Sequence, residues 1–478
     1  MTIQNFYIQS GGASANSGTT NSNTPVWSNT SSVVWVGTTT GTLTVTDSAA
    51  SAVQVGDWIN IGGSCVMQVA SINSASAPTY VITVTTTAGT FYGTEPTGQT
   101  YSTNGKVVDG GAWPDFTTPI ALGSFTIPGS STIYAKSNAT LGGAAAQTIA
   151  WAGAVTKVFR IAGYVTTPGD LDMPAGFPGM VAAGTTYPAI PYTSTGRITF
   201  SGIHTEVSGF NITGSVNSTL VSSSGSTFRL HNCLVANATN NTSAGAASCS
   251  ATNACLSCCD LTVAGNVAVV TGSSGNSLFV ESCTINGTST GTSQHGITAG
   301  GTGSTTIVHK TTFNGLGGNG ISSASTGNLV VLGTTFKGCG VDGIHLSSVP
   351  VGIIASNYFE GSGANDINNA SGANTDLLQL LNNDTYFTGS GAHLAGFGDW
   401  SELGAITESS SQFVSSTDLH IQSTSSGAGA GLPGQWVGLT PGLTSTPDVG
   451  AWQRVVTAGG GGGTPILQSA IIQGLGAI

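Results

Sequence analysis

Between about residue 207 and residue 389 a five-residue phrase recurs eight times, at intervals of 23 to 28 residues. It runs small or polar, variable, bulky apolar, variable, and then usually glycine. The copies are centred on Ile212, Val235, Leu261, Ile285, Phe313, Phe336, Phe359 and Phe387. Cys283-Thr284-Ile285-Asn286-Gly287 and Thr334-Thr335-Phe336-Lys337-Gly338 show its full form. A fixed period of this length marks a solenoid. Alternation at every second residue inside the unit is the period of a strand, not of a helix. Each unit therefore reads as one coil of a β-helix.

A second column checks the register. Gly296-Ile297, Gly320-Ile321, Gly343-Ile344 and Asp366-Ile367 place isoleucines 24, 23 and 23 residues apart, so two strands per coil keep step. Coils stacked at the inter-strand distance of about 4.8 Å turn every column into a ladder. The column two residues before the apolar centre runs Cys233, Cys259, Cys283, Thr311, Thr334, Asn357, Thr385. Each buried apolar centre contributes about 1.5–3 kcal/mol, which over many coils offsets the ordering of a glycine-rich chain. Gly214, Gly287, Gly315, Gly338, Gly361 and Gly389 sit two residues after the centres, where the chain turns a corner and a positive φ is favoured. Asn237 takes that slot once, as the next-best left-handed residue. The register predicts that Gly338→Val lowers the unfolding midpoint and that Thr335→Val, at a variable position, leaves it unchanged.

Composition fits an outside made of sheet. Only 6% of residues are charged, against about 25% in an ordinary soluble domain. Serine, threonine, asparagine and glycine take the place of charge, and the 39% hydrophobic content is patterned. No apolar run reaches the length of a membrane helix. The start, Met1 to Tyr7, lacks the basic and apolar regions of a secretory signal, so assembly without signal-peptide export is expected. A net charge of −11, with nine basic residues spread along the chain, excludes nucleic acid as the main partner.

The chain divides into three parts. Residues 1–112 carry short alternating runs without the coil period, such as 32–36, 43–46, 58–61 and 80–84, and suit a small β-barrel or sandwich for attachment or assembly. Residues 113–400 form the β-helix, with a proline-rich opening (Pro168, Pro174, Pro178, Pro188, Pro191) that suits irregular first coils and a long excursion. Residues 401–478 form a short β cap with a glycine hinge at Gly459 to Gly463 and an apolar tail from Pro465 to Ile478.

Cysteine offers three readings. Alternation puts Cys255 and Cys259 inward and Cys258 outward, which suits stacked core thiols behaving as small hydrophobes. A Cys249–Cys258 disulfide is the second, and a metal at Cys255-Leu256-Ser257-Cys258 the third. Structural zinc needs another such pair, and the spacing of Cys65, Cys233, Cys283 and Cys339 supplies none. Neither a metal site nor a cofactor is expected.

Catalytic groupings are sparse. Asp342, Glu360 and Asp366 are the best acidic set, since two carboxylates at suitable separation hydrolyse glycosides. The plainer reading makes Glu360 and Lys337, one coil apart, a surface ion pair of little worth. His295, Asn319, Asp342 and Asn365 share one turn-lining polar column, and His345 faces outward. Tyr358, Tyr386 and Trp400 are the candidate sugar-stacking aromatics.

The phrase of Glu281-Ser282-Cys283-Thr284-Ile285 and the later Gly-Ile strand resemble the right-handed parallel β-helix of the pectin-lyase-like superfamily. Pro447-Asp448-Val449-Gly450-Ala451-Trp452 resembles the Asp-Ile-Gly-Ala-aromatic ending common after such repeats. The resemblance spans residues 200–455 and implies an all-β fold. Its members include polysaccharide lyases and hydrolases, surface adhesins, and bacteriophage tailspikes and related virion proteins. Lyase members use an arginine or lysine base, for which the coils offer Arg229, Lys310 and Lys337. The resemblance implies first a virion protein of a tailed phage: a tailspike, fibre or capsid-surface decoration. It would be homotrimeric, sit on the particle surface beside other virion proteins, and bind a host-surface polysaccharide. A polysaccharide-degrading hydrolase or lyase, or an exported adhesin, is the second class. Cleavage of a glycan that is lost in Asp342→Asn or Glu360→Gln separates the two.

Overall fold

The computed structural model describes most of residues 5–8, 27–109, 132–150, 158–171, 187–397 and 402–430, together with 449–450. Every regular element among the described residues is a strand. The chain forms two compact units, one of Met1–Asp172, Gly184–Pro191 and Ile198–Asn211, the other of Met173–Ala183, Tyr192–Arg197 and Ile212–Ile478.

The first unit holds a nine-stranded antiparallel sheet between Trp27 and Asp109. Its strands include Val33–Gly37, Thr40–Val45, Trp58–Ile61 and Thr79–Thr85, which match the alternating runs of the sequence. Parallel pairing begins in the same unit. Asn5–Ile8 lies beside Thr132–Lys136, which lies beside Phe159–Tyr164, and that beside Thr205–Ser208.

The second unit is a parallel β-helix with three strands per coil, one more than two sequence columns reveal. Face A carries Thr227–His231, Asn253–Ser257, Ser277–Glu281, Thr305–His309, Asn328–Leu332, Val351–Ala355 and Leu378–Leu381. Face B carries the repeated phrase, from Leu234–Asn237 to Asp384–Tyr386 and Ile406–Thr407. Face C carries the Gly-Ile strands, from Val221–Ser223 to Ile367–Asn369 and Leu394–Ala395.

The apolar ladder holds from Val235 through Leu261, Ile285, Phe313 and Phe336 to Phe359. Phe313, Phe336 and Phe359 stack with centroids 4.9 and 4.7 Å apart. The eighth copy is corrected by two residues, because Phe359 pairs with Thr385 and not with Phe387. The reason lies in the core. Thr385 Oγ1 donates to the buried carboxylate of Asp366, a partner that phenylalanine does not provide for.

The same stack explains the glycine of the Gly-Ile strand. A Cβ on Gly320 would sit 2.5 Å from Phe336 Cδ1, and one on Gly343 2.7 Å from Phe359 Cδ1 and 2.6 Å from the Asp366 carbonyl oxygen. One coil later the ring gives way to Thr385, and there the glycine gives way to Asp366.

Corners also differ from the sequence expectation. Gly315, Gly338 and Gly361 have φ of 64°, 66° and 73°, as expected, whereas Gly214, Gly287 and Gly389 have no positive φ. Asn237 is not left-handed either. It is buried, and its Nδ2 donates to the carbonyls of Val216 and Ser218. The regular left-handed position lies at the corner from face A to face B, in Asn232, Cys258, Ser282, Lys310, Gly333, Ser356 and Asn382. A left-handed residue resets side-chain alternation, so Cys258 is buried at this corner while Cys255 turns to the outer side of face A. Both placements reverse the alternation reading. Cys233, Cys249, Cys255, Cys258, Cys259, Cys283 and Cys339 are unbridged. Burial pushes the thiols of Cys249, Cys255 and Cys339 up to about 12.

The column of Cys233, Cys259, Cys283, Thr311, Thr334 and Asn357 ends in Asn383, not Thr385. Its chemistry is shared. Cys259 Sγ, Cys283 Sγ, Thr311 Oγ1, Asn357 Nδ2 and Asn383 Nδ2 donate to the carbonyls of Leu230, Leu256, Val280, Val331 and Ile354 in the preceding coil. The position therefore requires a short side chain that carries a donor.

Thr335 is buried, so it is no neutral position, and Thr298 on the outer side of face C replaces it as the control. Gly343→Ala should lower stability by at least about 1–3 kcal/mol through overpacking, and Gly338→Val by about 1–2 kcal/mol through its left-handed φ. Thr298→Val should stay within about 0.5 kcal/mol. Chemical denaturation of the three variants checks the ranking, and equal losses would refute the register.

Candidate functional site

Asp342, at the corner entering face C, is buried. Its Oδ1 accepts from the backbone N–H and the Nδ2 of Asn365, at 3.0 and 2.9 Å. Its Oδ2 accepts from Asn368 Nδ2 at 2.9 Å and from His345 Nδ1 at 2.8 Å. Burial opposes ionisation here, but the hydrogen bonds from His345, Asn368 and Asn365 prevail and hold the carboxyl below its ordinary value. His345 is thus not a lone exposed histidine.

The turn-lining column stands as expected. Asn319 N–H donates to His295 Nδ1, Asp342 N–H to Asn319 Oδ1, Asn365 N–H to Asp342 Oδ1, and Ala392 N–H to Asn365 Oδ1. Each coil caps a backbone N–H of the next. Desolvation, followed by the nearby His345, lowers the basicity of His295, which suits its ring nitrogen as an acceptor.

Asp366 is fully buried and belongs to a different group. His393 Nδ1 lies 2.9 Å from Asp366 Oδ2, and its Nε2 lies 2.9 Å from Glu402 Oε2. Glu402 Oε1 in turn accepts from Asn383 N–H. Burial works against a charged His393, but the hydrogen bonds and charges of Asp366 and Glu402 raise it to about 9. The imidazolium is therefore held between two carboxylates, and its ring meets Phe359 edge-on at 6.0 Å. Sequence periodicity missed both His393 and Glu402, because they lie where the repeat fades.

Glu360 is half-buried, and its carboxylate is engaged by the C-terminal segment. It stands in register with Lys337, as expected. Its carboxylate accepts from Tyr358 Oη at 2.9 Å and from Ser411 Oγ at 2.8 and 2.9 Å. Lys337 Nζ lies 5.1 Å from the centroid of Phe413. Tyr358 is fully buried, packed against Phe413, Ile421 and Val449, and its hydroxyl accepts from Gln412 N–H. Tyr386 is half-buried against the same cluster, and Trp400 lies outside the described residues. The C-terminal segment covers the outer side of face B at Thr335, Tyr358, Glu360 and Asp384.

One further acid sits beneath that segment. Asp384 is fully buried, with no side-chain donor at its carboxylate and only the Thr385 N–H set toward it. Burial, with Glu408 nearby, raises it to about 7. The structure thus separates the predicted acidic set. Asp342 caps a corner, Asp366 clamps an imidazolium, and Glu360 anchors the C-terminal segment. No group of three or more histidine, cysteine or acidic side chains among the described residues is arranged to hold a metal.

No protein-family model matches the chain, and no curated protein does. Among solved structures it is similar to the pectate lyase Pel9A, with a TM-score of 0.43 and 11% identity over 69% of this chain and 89% of that one. It is also similar to the PL6 family alginate lyase AlyGC, with a TM-score of 0.27 and 10% identity over 56% of this chain and 51% of that one.

The Asp342 network sets a pH dependence. A depressed carboxyl contributes stability that is present above the ordinary value of 3.8 and is lost as pH falls through its lower folded value. Asp342→Ala should cost about 1–3 kcal/mol at pH 7 by leaving buried donors unpaired. It should also flatten the stability profile below pH 4. Denaturation at pH 3 and pH 7 tests this, and an unchanged acid slope would refute it.

Proposed function

We propose that this chain is a non-catalytic structural β-helix, a surface protein of a tailed-phage particle of the spike, fibre or capsid-decoration type. Its low-charge serine, threonine and asparagine exterior meets other virion proteins and a host polysaccharide. The observation that carries the reading is the fate of its acids. Asp342 accepts four internal hydrogen bonds, Asp366 and Glu402 are bound to His393, and Glu360 lies under Ser411. Glycoside hydrolysis needs one carboxyl free to give a proton and another free to act on sugar or water. These carboxylates are already occupied by the fold. A homotrimer is part of the proposal, and light scattering at the mass of one chain would remove it.

The second reading, a polysaccharide-degrading enzyme, is favoured by Asp366–His393–Glu402, a carboxylate-oriented imidazole that would serve acid–base work once Glu402 leaves its Nε2. The deciding experiment labels phage particles from the source lysate with antibody to this chain and images them by electron microscopy. Gold on the head or tail is the expected result, and its position separates decoration from spike. Unlabelled particles, together with glycan cleavage that disappears in His393→Gln, would replace the structural reading with the enzymatic one.

A further inference from the structure

The C-terminal segment crosses three successive coils of face B. Gly450 lies on Thr335 and Tyr358, with its N–H donating to the Ser356 carbonyl at 2.8 Å. Ser411 and Gln412 lie on Glu360 and Tyr358. Gly427 lies on Asp384, where an added Cβ would stand 2.1 Å from Oδ2. Phe413 and Ile421 pair antiparallel, and Gln422 donates to the carbonyls of Gln412 and Phe413, so the segment carries its own small structure.

What it covers is unusual for a buried interface. Asp384 is fully enclosed with no side-chain donor at either oxygen, and a buried carboxylate so poorly supplied is costly in its charged form. From the segment, Glu408 faces it, held by Ser425 Oγ at 3.0 Å and by Ser426 N–H at 2.6 Å. From the coils come the Thr385 N–H, the His393 ring, and Tyr358, whose hydroxyl is given to Glu360. The charged groups around Asp384 are therefore acids, apart from His393. That imidazole is itself a tie between coil and segment, through Glu402.

We propose that the described residues between 402 and 430 form a proton-held strap, closed over face B in acid and loosened as the pH rises. The two titrations act in the same direction. Asp384 stands at about 7 with the strap closed, against 3.8 in the open, so closure is fully favoured below 3.8 and loses strength as pH rises to 7. His393 stands at about 9 when closed, raised by Asp366 of the coils and by Glu402 of the strap; only the Glu402 part is lost on opening, so that part favours closure at lower pH and fades as pH rises through 9. Opening uncovers a row of Thr335, Lys337, Tyr358, Glu360, Asp384 and Tyr386, which mixes aromatic, hydroxyl and charged groups.

Hydrogen–deuterium exchange of the full chain tests the strap, with rates corrected for the intrinsic effect of pH. Peptides within 403–430 should lose at least tenfold protection between pH 5 and pH 8.5, while peptides within 328–346 keep theirs. The shift at Asp384 by itself allows up to about a thousandfold. Asp384→Asn, which keeps the shape and removes the charge, should retain protection at pH 8.5, and Glu408→Gln should fall between it and the parent. Three results would overturn the proposal. The first is equal protection at both pH values in the parent chain. The second is equal loss in Asp384→Asn. The third is restored protection on adding calcium chloride at pH 8.5, which would mean that the acids hold a cation and not a proton.

Discussion

The coils of this protein are tied in register by short donors at the face A to face B corners, five of which reach back to a carbonyl of the coil before. Thiol, hydroxyl and carboxamide all serve, in Cys283, Thr311 and Asn357. A second set of bonds runs the other way along the same corner. Thr334 N–H donates to Asn357 Oδ1, Asn357 N–H to Asn383 Oδ1, and Asn383 N–H to Glu402. Turning a corner removes backbone groups from the sheet ladder, and a buried group without a partner is expensive. These side chains provide the missing partners, and the flat outer faces can then be built from uncharged residues.

Inside the coils, one substitution carries another with it. The stacked rings of Phe313, Phe336 and Phe359 require Gly296, Gly320 and Gly343 beside them. When the stack stops at Thr385, the freed space admits Asp366, which bonds Thr385 and His393. Glu402 closes this group from the other side. The polar end of the core is therefore continuous with the point where the chain leaves the helix.

The columns of Ile285 and Ile321 were legible because a side chain repeated every 23 to 28 residues is forced into one ladder. The eighth copy misled because Phe387 imitates the phrase two residues late, while the core position itself is Thr385. Face A escaped notice because its strands, such as Ser277–Glu281, carry plain alternation and no marked residue. Cys255 and Cys258 were misdirected because alternation does not continue through a left-handed corner. The aspartate and asparagine column was legible as a stack, but the partners of Glu360 and Tyr358 were not. Those lie 51 and 54 residues away in a stretch without period. Burial turned two expected sugar-binding positions into the seat of the protein's own C-terminal segment.

That seat has a mechanical consequence. A solenoid is held by nearest-neighbour contacts, so its last coil can peel without cost to the third from last. The segment over face B breaks this rule, since it touches Thr335, Tyr358 and Asp384 in three successive coils. Peeling the end then requires releasing all three together, so the terminus yields as a block and resists fraying one coil at a time.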